Sequence, residues 1–159
     1  MSGGAKSNNG KKRINSQLVG AAGVFFVASE LSMRGLVALP SIRNVRGADI
    51  LLADPDGKRF AFLQVKTSKS KVTFWPIGEG AKKWQGPDCY YVFVRRVNGR
   101  FEAFLEKASI VSKEAAVADH MSLERGCKPT FSAWWVTGRY AAEGAEERTR
   151  RQWETFSLA

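Results

Sequence analysis

A carboxylate, an amide and an ammonium group interrupt two otherwise apolar segments of the chain. Asp49 lies in the first segment, and Gln64 and Lys66 alternate with apolar residues in the second. Side chains two positions apart on a β-strand point to the same face, so Gln64 and Lys66 should share a face while Val65 points to the core. If the two segments pair as a hairpin, Asp49 comes to within about a residue or two of Gln64. The sequence therefore predicts these side chains together on one face of a sheet.

This combination of side chains suits hydrolysis of a phosphodiester. Mg²⁺ prefers oxygen ligands and keeps several of its waters when bound to protein. Asp49 would supply an anionic oxygen, Gln64 a neutral amide oxygen, and the backbone carbonyl of Val65 a third ligand. A divalent ion polarises a phosphate and lowers the pKa of a bound water. Lys66 would orient that water and stabilise the charge that develops in the transition state.

Each of these residues also has an ordinary structural explanation. Asp49 alone could stabilise a turn, although it stands between apolar residues in the middle of a predicted strand. Gln64 alone would more often be a hydrogen-bonded amide on a sheet face, and Lys66 a solvated charge near a strand end. Their joint spacing across one hairpin favours a site over three separate structural roles.

Turn sequences define the strands that must position these residues. Segments 45–53 and 59–67 flank Asp54-Pro55-Asp56-Gly57, a strong turn signal, and are predicted to form a hairpin. A further strand at 71–75 is expected to complete a meander, and 36–39 to be a short extended segment broken by Pro40. Segments 89–97 and 100–105 flank Asn98-Gly99, a typical two-residue hairpin turn. Segment 127–139 is expected to be extended.

Helical periodicity accounts for the rest of the chain. Segment 16–34 carries apolar residues at helical spacing, with Ser16 as the expected N-cap and Gly35 after its end. Further helices are predicted at 107–124 and 141–154, the last held to the core by Trp153. The sequence thus predicts a single α/β domain over 14–159, with a mixed, mainly antiparallel central sheet of roughly four or five strands flanked by helices. Residues 1–13 are predicted to be a flexible basic tail.

Glu30 is the only acid in the first predicted helix, which is otherwise apolar. A carboxylate on a mostly buried helix needs a partner to offset its desolvation. It could complete the metal site, or it could pair with Arg34 one helical turn further on.

The net charge indicates the class of partner. The chain has 159 residues, with 25 Lys and Arg against 15 Asp and Glu, a formal charge of +10. Such a surplus favours polyanions, because each neutralised phosphate releases counterions, although a merely basic surface would give the same count.

The spacing of Cys89 and Cys127 suggests no disulfide or metal pair. The sequence has no apolar run near the ~20 residues of a membrane span and no secretory leader in 1–13, so we expect a cytoplasmic protein with no membrane contact.

Basic and aromatic residues around the hairpin are candidate nucleic-acid contacts. Arg43 and Arg46 precede Asp49 and could hold the phosphate backbone, while a hydroxyl and two further cations follow the second strand. An aromatic side chain in the Gly-rich segment 76–88 could stack on an exposed base, although such residues more often belong to a core. These later candidates are Ser68, Lys69, Lys71 and Trp84.

The order of these motifs resembles the PD-(D/E)XK nuclease superfamily. The resemblance covers about residues 16–97 and rests on the helix glutamate Glu30, the Gly47-Ala48-Asp49 sequence, and Gln64-Val65-Lys66 after the hairpin turn. The chain is similar to small bacterial PD-(D/E)XK-type endonuclease-like proteins and to Mrr-like enzymes, which also carry Gln in this motif. The resemblance implies a restriction-endonuclease-like fold and Mg²⁺- or Mn²⁺-dependent endonuclease activity on DNA. It assigns metal binding to the aspartate and the glutamine, catalysis to the lysine, and completion of the site to the glutamate.

Gln64 departs from the Glu or Asp that most members of this superfamily have. A neutral amide removes one negative charge, so the site should hold a metal more weakly.

Two alternatives to a nuclease stay open. The first is a catalytically inactive nucleic-acid-binding accessory protein that keeps the fold, and the second is an interaction domain whose basic surface meets another protein. A homodimer or higher homo-oligomer is plausible, because two sites related by a two-fold axis cut both strands of a duplex most simply.

Overall fold

The computed structural model describes residues 14–45, 47–127 and 132–158, and side chains 42–45 are not described. The predicted tail, 1–13, lies outside these ranges. A short 3₁₀ turn spans Glu79–Lys82. The other elements, in chain order, are α1 (Ser16–Met33), β1 (Val37–Val45), β2 (Ala48–Ala53), β3 (Phe60–Ser68), β4 (Phe74–Pro76), β5 (Cys89–Val97), β6 (Arg100–Lys107), α2 (Ala108–Glu124), β7 (Ala133–Trp135) and α3 (Ala145–Thr155).

A mixed five-stranded sheet forms the centre of the molecule, in the order β1-β2-β3-β5-β6. All neighbouring strands are antiparallel except β3 and β5, which run parallel. The predicted mixed, mainly antiparallel sheet with flanking helices is therefore confirmed. Both predicted hairpins form, and the second turns at Asn98 and Gly99, whose φ angles are 50° and 81°. Positive φ at both central residues matches the twist of the flanking strands.

The prediction that a strand at 71–75 completes a meander with the first hairpin was wrong. Phe74–Pro76 pairs instead with Ala133–Trp135 in a separate two-stranded sheet. The position beside β3 is occupied by β5, with Leu63 opposite Tyr90 and Thr67 opposite Val94. Parallel neighbours require a long crossover connection, and the segment between β3 and β5 provides it.

Two local predictions near the N-terminus also need correction. Pro40 does not break the first strand, because β1 is an edge strand and continues to Val45 with an irregular register after Pro40. An edge strand tolerates a residue that cannot donate to the ladder. The N-cap of α1 is Asn15, whose side chain accepts a hydrogen bond from the Gln17 N–H at 2.9 Å, and Ser16 is the first helical residue.

Two apolar cores lie on opposite faces of the central sheet. The first packs Val27 and Leu31 of α1 against Ile50 and Leu63, together with Trp153 of α3, which confirms the predicted role of Trp153. The second core covers β5 and β6 with α2 and the small sheet. Its largest members are Tyr91, Phe93, Phe104, Trp75 and Trp134.

A buried arginine joins the second core to the C-terminal helix. Arg95 is only 4% exposed, and its guanidinium contacts Glu102 at 2.8 Å and Glu146 of α3 at 2.7 Å. It also donates to the backbone carbonyl of Val72 at 3.0 Å. Because a buried charge is tolerated only when it is paired and hydrogen-bonded, this cluster fixes β5, β6 and α3 relative to one another.

Within the described residues, α1 is long and apolar enough to cross a membrane by length and composition alone, with a mean hydropathy of 1.3. The sequence had predicted no such segment. One side of the helix is buried in the first core, and Leu18, Phe25 and Met33 are exposed. Core helices and leader sequences meet the same criteria, and the cytoplasmic location stays a prediction.

The contact between α1 and β3 depends on a glycine. A Cβ atom added at Gly23 would lie 1.8 Å from Thr67 Oγ1, far inside van der Waals contact. Thr67 directly follows Lys66, so this close approach sets how deeply the helix lies on the strand that carries Gln64 and Lys66. Gly20, one turn earlier, has nothing within 4 Å of the same added atom.

These two glycines provide a matched test of the packing. Ala favours a helix over Gly by up to about 1 kcal/mol, whereas forcing a methyl group into a filled contact costs ~1–3 kcal/mol. We expect Gly20→Ala to retain or raise the free energy of unfolding and Gly23→Ala to lower it, as measured by urea denaturation. Equal stability of the two variants would contradict the packing described.

Candidate active site

The candidate site lies where β2 and β3 stop pairing through their backbones. Their register runs from Ala53 opposite Phe60 to Ile50 opposite Leu63. One step further along places Asp49 opposite Gln64. There the carboxylate Oδ2 of Asp49 accepts a hydrogen bond from the Val65 N–H at 2.8 Å. The side chain thus bridges to β3 beyond the last backbone pair.

The pleat of the strands decides which face carries the site. Ile50, Leu63 and Val65 point into the core beneath α1. Alternation places Asp49, Gln64 and Lys66 on the opposite face, and all three side chains are partly buried. The structure therefore brings a carboxylate, an amide and an ammonium group together beside the second core.

Burial disfavours the ionised forms of both Asp49 and Lys66. Desolvation raises the pKa of Asp49, opposed by the hydrogen bond from Val65 and by the positive charge of Lys66. Desolvation lowers the pKa of Lys66, opposed by the negative charge of Asp49. Each ion is therefore only partly compensated by the other, and each would gain from an added opposite charge. A cation beside Asp49 and an anion beside Lys66 would supply those charges.

The oxygen atoms near Asp49 fit a hard divalent cation. The N–H and C=O of one residue point to the same side of a strand. Because the Val65 N–H is directed to Asp49, the carbonyl of Val65 is directed to the same edge of β3. In the part of the chain that the structure describes, no three His, Cys, Asp or Glu side chains cluster as metal ligands. The donor set has one anionic oxygen, which suits an ion that keeps several waters.

Glu30 is not brought to this cluster. It lies near the end of α1, with its side chain 47% exposed and 3.8 Å from Arg34. The helix covers the sheet face opposite the one that carries Asp49 and Lys66. Arg34 in turn donates to the Trp153 carbonyl and lies over the ring of Trp153 at 4.6 Å. Of the two roles predicted for Glu30, the structure therefore shows the pairing with Arg34.

The candidate nucleic-acid contacts fall into separate groups. The side chains of Arg43 and Arg46 lie outside the described residues. The Ser68 hydroxyl donates to the Ser70 carbonyl at 3.1 Å and accepts from the Ser70 N–H at 3.3 Å, which shapes the turn after β3. Lys69 and Lys71 are exposed. Ser68 and Lys69 also line a cavity of about 410 Å³ at the start of α1.

Aromatic residues form the border of the site, and sequence reasoning identified only one of them. Trp84 is partly buried, with its ring edge-on to Tyr91 at 5.0 Å between centroids. Tyr91 is fully buried and stands in register with Gln64. Desolvation, and then the proximity of Cys89, raises the pKa of Tyr91 to about 12, so it stays a neutral phenol. Its place beside Gln64 follows from the parallel pairing of β3 and β5, which no local signal in the sequence indicates.

Comparison with known proteins adds no family to this description: no family model matches the chain, and no curated protein matches it. The PD-(D/E)XK resemblance therefore stays a prediction from the sequence motifs.

The bond between Asp49 and Val65 predicts different stabilities for two substitutions. Asp49→Ala leaves a partly buried N–H without its acceptor, which should cost ~1–3 kcal/mol. Asp49→Asn keeps an oxygen acceptor and removes a desolvated charge, so its loss should be clearly smaller. Urea denaturation at neutral pH would measure both. Equal losses in the two variants would show that the hydrogen bond does not hold the strands together.

Proposed function

We propose that this protein is a metal-dependent endonuclease that hydrolyses phosphodiester bonds of DNA on a restriction-endonuclease-like fold. The observation that carries the proposal is the pair of partly buried opposite charges, Asp49 and Lys66, placed with Gln64 where β2 and β3 diverge. A carboxylate that needs a cation and an ammonium that needs an anion together suit a metal ion and a phosphate. The motif order of the PD-(D/E)XK superfamily supports the same assignment.

Asp49, Gln64 and the Val65 carbonyl would hold Mg²⁺ or Mn²⁺. When bound, the ion supplies Lewis-acid activation of the phosphate and an acidified water. The Val65 N–H holds the Asp49 carboxylate at 2.8 Å and so fixes that ligand relative to β3. Lys66, on the same face, binds a phosphate oxygen and stabilises the negative charge that grows on it. Its partly desolvated position strengthens that interaction relative to one in water.

The overall charge supports a polyanionic substrate such as DNA. The chain carries +10 formal charges, and the exposed Lys69 and Lys71 follow directly on the strand that carries Lys66. Cations there would contact the backbone on one side of the cleaved bond. Their contribution would be independent of base sequence, because phosphate contacts carry no sequence information.

A second candidate function is a nucleic-acid-binding accessory protein that does not cleave. One observation favours it: the residue opposite Asp49 is the neutral Gln64, and Glu30 lies on the other side of the sheet, paired with Arg34. A single anionic ligand binds Mg²⁺ weakly. Under this alternative the same surface binds the phosphate backbone through Lys66 without hydrolysis.

Plasmid nicking in Mg²⁺ or Mn²⁺ tests the proposed activity. We expect wild type to nick supercoiled DNA, and Asp49→Asn and Lys66→Met to lower the rate by on the order of 10²-fold or more, because each removes a charge used in the transition state. Gln64→Glu should lower the Mg²⁺ concentration required, because it restores an anionic ligand. Glu30→Gln should nick like wild type, since Glu30 lies on the opposite side of the sheet.

Lys58→Met is the matched control for loss of a lysine. Lys58 is 79% exposed in the turn at the far end of the same hairpin, where it pairs with Asp56. It should leave nicking unchanged. Absence of nicking in both metals, or nicking that survives Asp49→Asn and Lys66→Met, would rule out hydrolysis at this site. Retained DNA binding would then favour the accessory protein.

Salt dependence tests the DNA-binding surface separately from cleavage. We expect duplex affinity to fall steeply with salt, and the Lys69→Ala, Lys71→Ala double variant to reduce the slope of log K against log salt by about 2, one unit for each phosphate contact. Fluorescence anisotropy in EDTA, which prevents cleavage, would measure both quantities. An unchanged slope in the double variant would place the phosphate contacts elsewhere. Affinity that is independent of salt would indicate a protein partner instead.

A further inference from the structure

An apolar cavity of about 240 Å³ lies beside the candidate active site. Two aromatic rings and a proline provide most of its surface, and a single carboxylate stands at its edge. Its lining residues are Phe62, Trp84, Gly86, Pro87, Asp88 and Cys89.

Two residues that line the cavity, Phe62 and Trp84, also lie near the cluster of catalytic candidates. Phe62 lies two residues before Gln64 on the same face of β3, so their side chains are neighbours. The ring of Trp84 lies 3.5 Å from the position of a Cβ at Gly47, two residues before Asp49. A ligand in the cavity would therefore lie on the same sheet face as Lys66, with Gln64 between them on β3.

The chemistry of the cavity matches a nucleobase. A base offers two flat faces that stack on aromatic rings, and such stacking tolerates any base. Its edge carries N–H donors that a carboxylate accepts, as Asp and Glu do from cytosine N4. Asp88 is exposed at the rim, and its backbone carbonyl accepts a hydrogen bond from the Phe62 N–H at 2.8 Å, which ties the rim to β3. The cavity thus combines a surface for stacking with a carboxylate acceptor, and the proposed phosphate site lies nearby.

We propose that this cavity binds one unstacked nucleobase of the nucleotide beside the phosphate held at Asp49 and Lys66. The inference rests on the proposed function and deepens it, because it assigns the substrate class. A base in intact duplex is stacked and cannot enter a cavity. The preferred substrate would therefore be single-stranded DNA or DNA with an unpaired nucleotide.

Two cysteines make the cavity directly testable. Cys89 lines the cavity, is partly buried, and has its pKa raised mainly by desolvation, whereas Cys127 is exposed. Both thiols are free. Alkylation by N-ethylmaleimide, followed by mass spectrometry of peptides, reports the occupancy of the cavity at Cys89 and provides an internal control at Cys127.

The experiment uses the full chain in EDTA, so that no cleavage takes place. The probes are a single-stranded oligonucleotide and an abasic phosphodeoxyribose strand of the same length and charge. At an oligonucleotide concentration about tenfold above its dissociation constant, we expect alkylation of Cys89 to slow by about tenfold, because occupancy of the site sets the protection, and Cys127 to be unaffected. The abasic strand should protect neither thiol. Trp84→Leu and Asp88→Asn should each weaken the protection given by the oligonucleotide.

The outcomes separate the base-binding cavity from the nuclease. Equal protection by the abasic strand, or no protection of Cys89 by either strand, would overturn the inference even if the protein nicks DNA. Base-dependent protection of Cys89 in a protein that does not nick would uphold the cavity and favour the accessory function. The wild-type comparison of the two strands decides this without reliance on the folding of any variant.

Discussion

The hydrogen bond from the Val65 N–H to Asp49 is the interaction on which the candidate site depends. It replaces backbone pairing at the point where β2 and β3 separate, so the strands diverge without leaving this N–H unsatisfied. The same bond fixes a partly buried carboxylate between Gln64 and Lys66. Burial of that negative charge costs free energy, which the Val65 N–H and the charge of Lys66 only partly offset. The contact that joins the diverging strands therefore also holds the carboxylate where a metal cation would stabilise it further.

The unequal covering of the sheet explains why the site is accessible. One face is packed by α1 along β2 and β3, while on the other face α2 and the small sheet cover β5 and β6. The portion of β2 and β3 on that second face stays partly exposed, and its border is formed by Trp84 and Tyr91. Polar side chains on a fully covered strand would need partners for all their groups, whereas here water or a ligand can provide them.

Local patterns predicted most of the elements, and pairing between distant segments accounts for what they missed. The turn signals at 54–57 and at Asn98-Gly99 identified both hairpins, and alternation put Gln64 and Lys66 on one face. The parallel pairing of β3 with β5, and of Phe74–Pro76 with Ala133–Trp135, joins segments with no shared local signal. Glu30 was ambiguous for the same reason: helical periodicity marks the buried side of α1 but not which sheet face the helix covers.

The buried Arg95 has a consequence for how the molecule opens. Its guanidinium is held by Glu102 of the β5–β6 hairpin and by Glu146 of α3. Detachment of α3 alone would leave a dehydrated positive charge with one partner fewer, and would also expose Trp153, which is 6% exposed in the folded chain. The two ion pairs therefore couple the C-terminal helix to the hairpin, and we expect the two to open together. The same helix also carries Trp153 into the first core beside Ile50 and Leu63, so its detachment would open the core beneath the strands that carry the site.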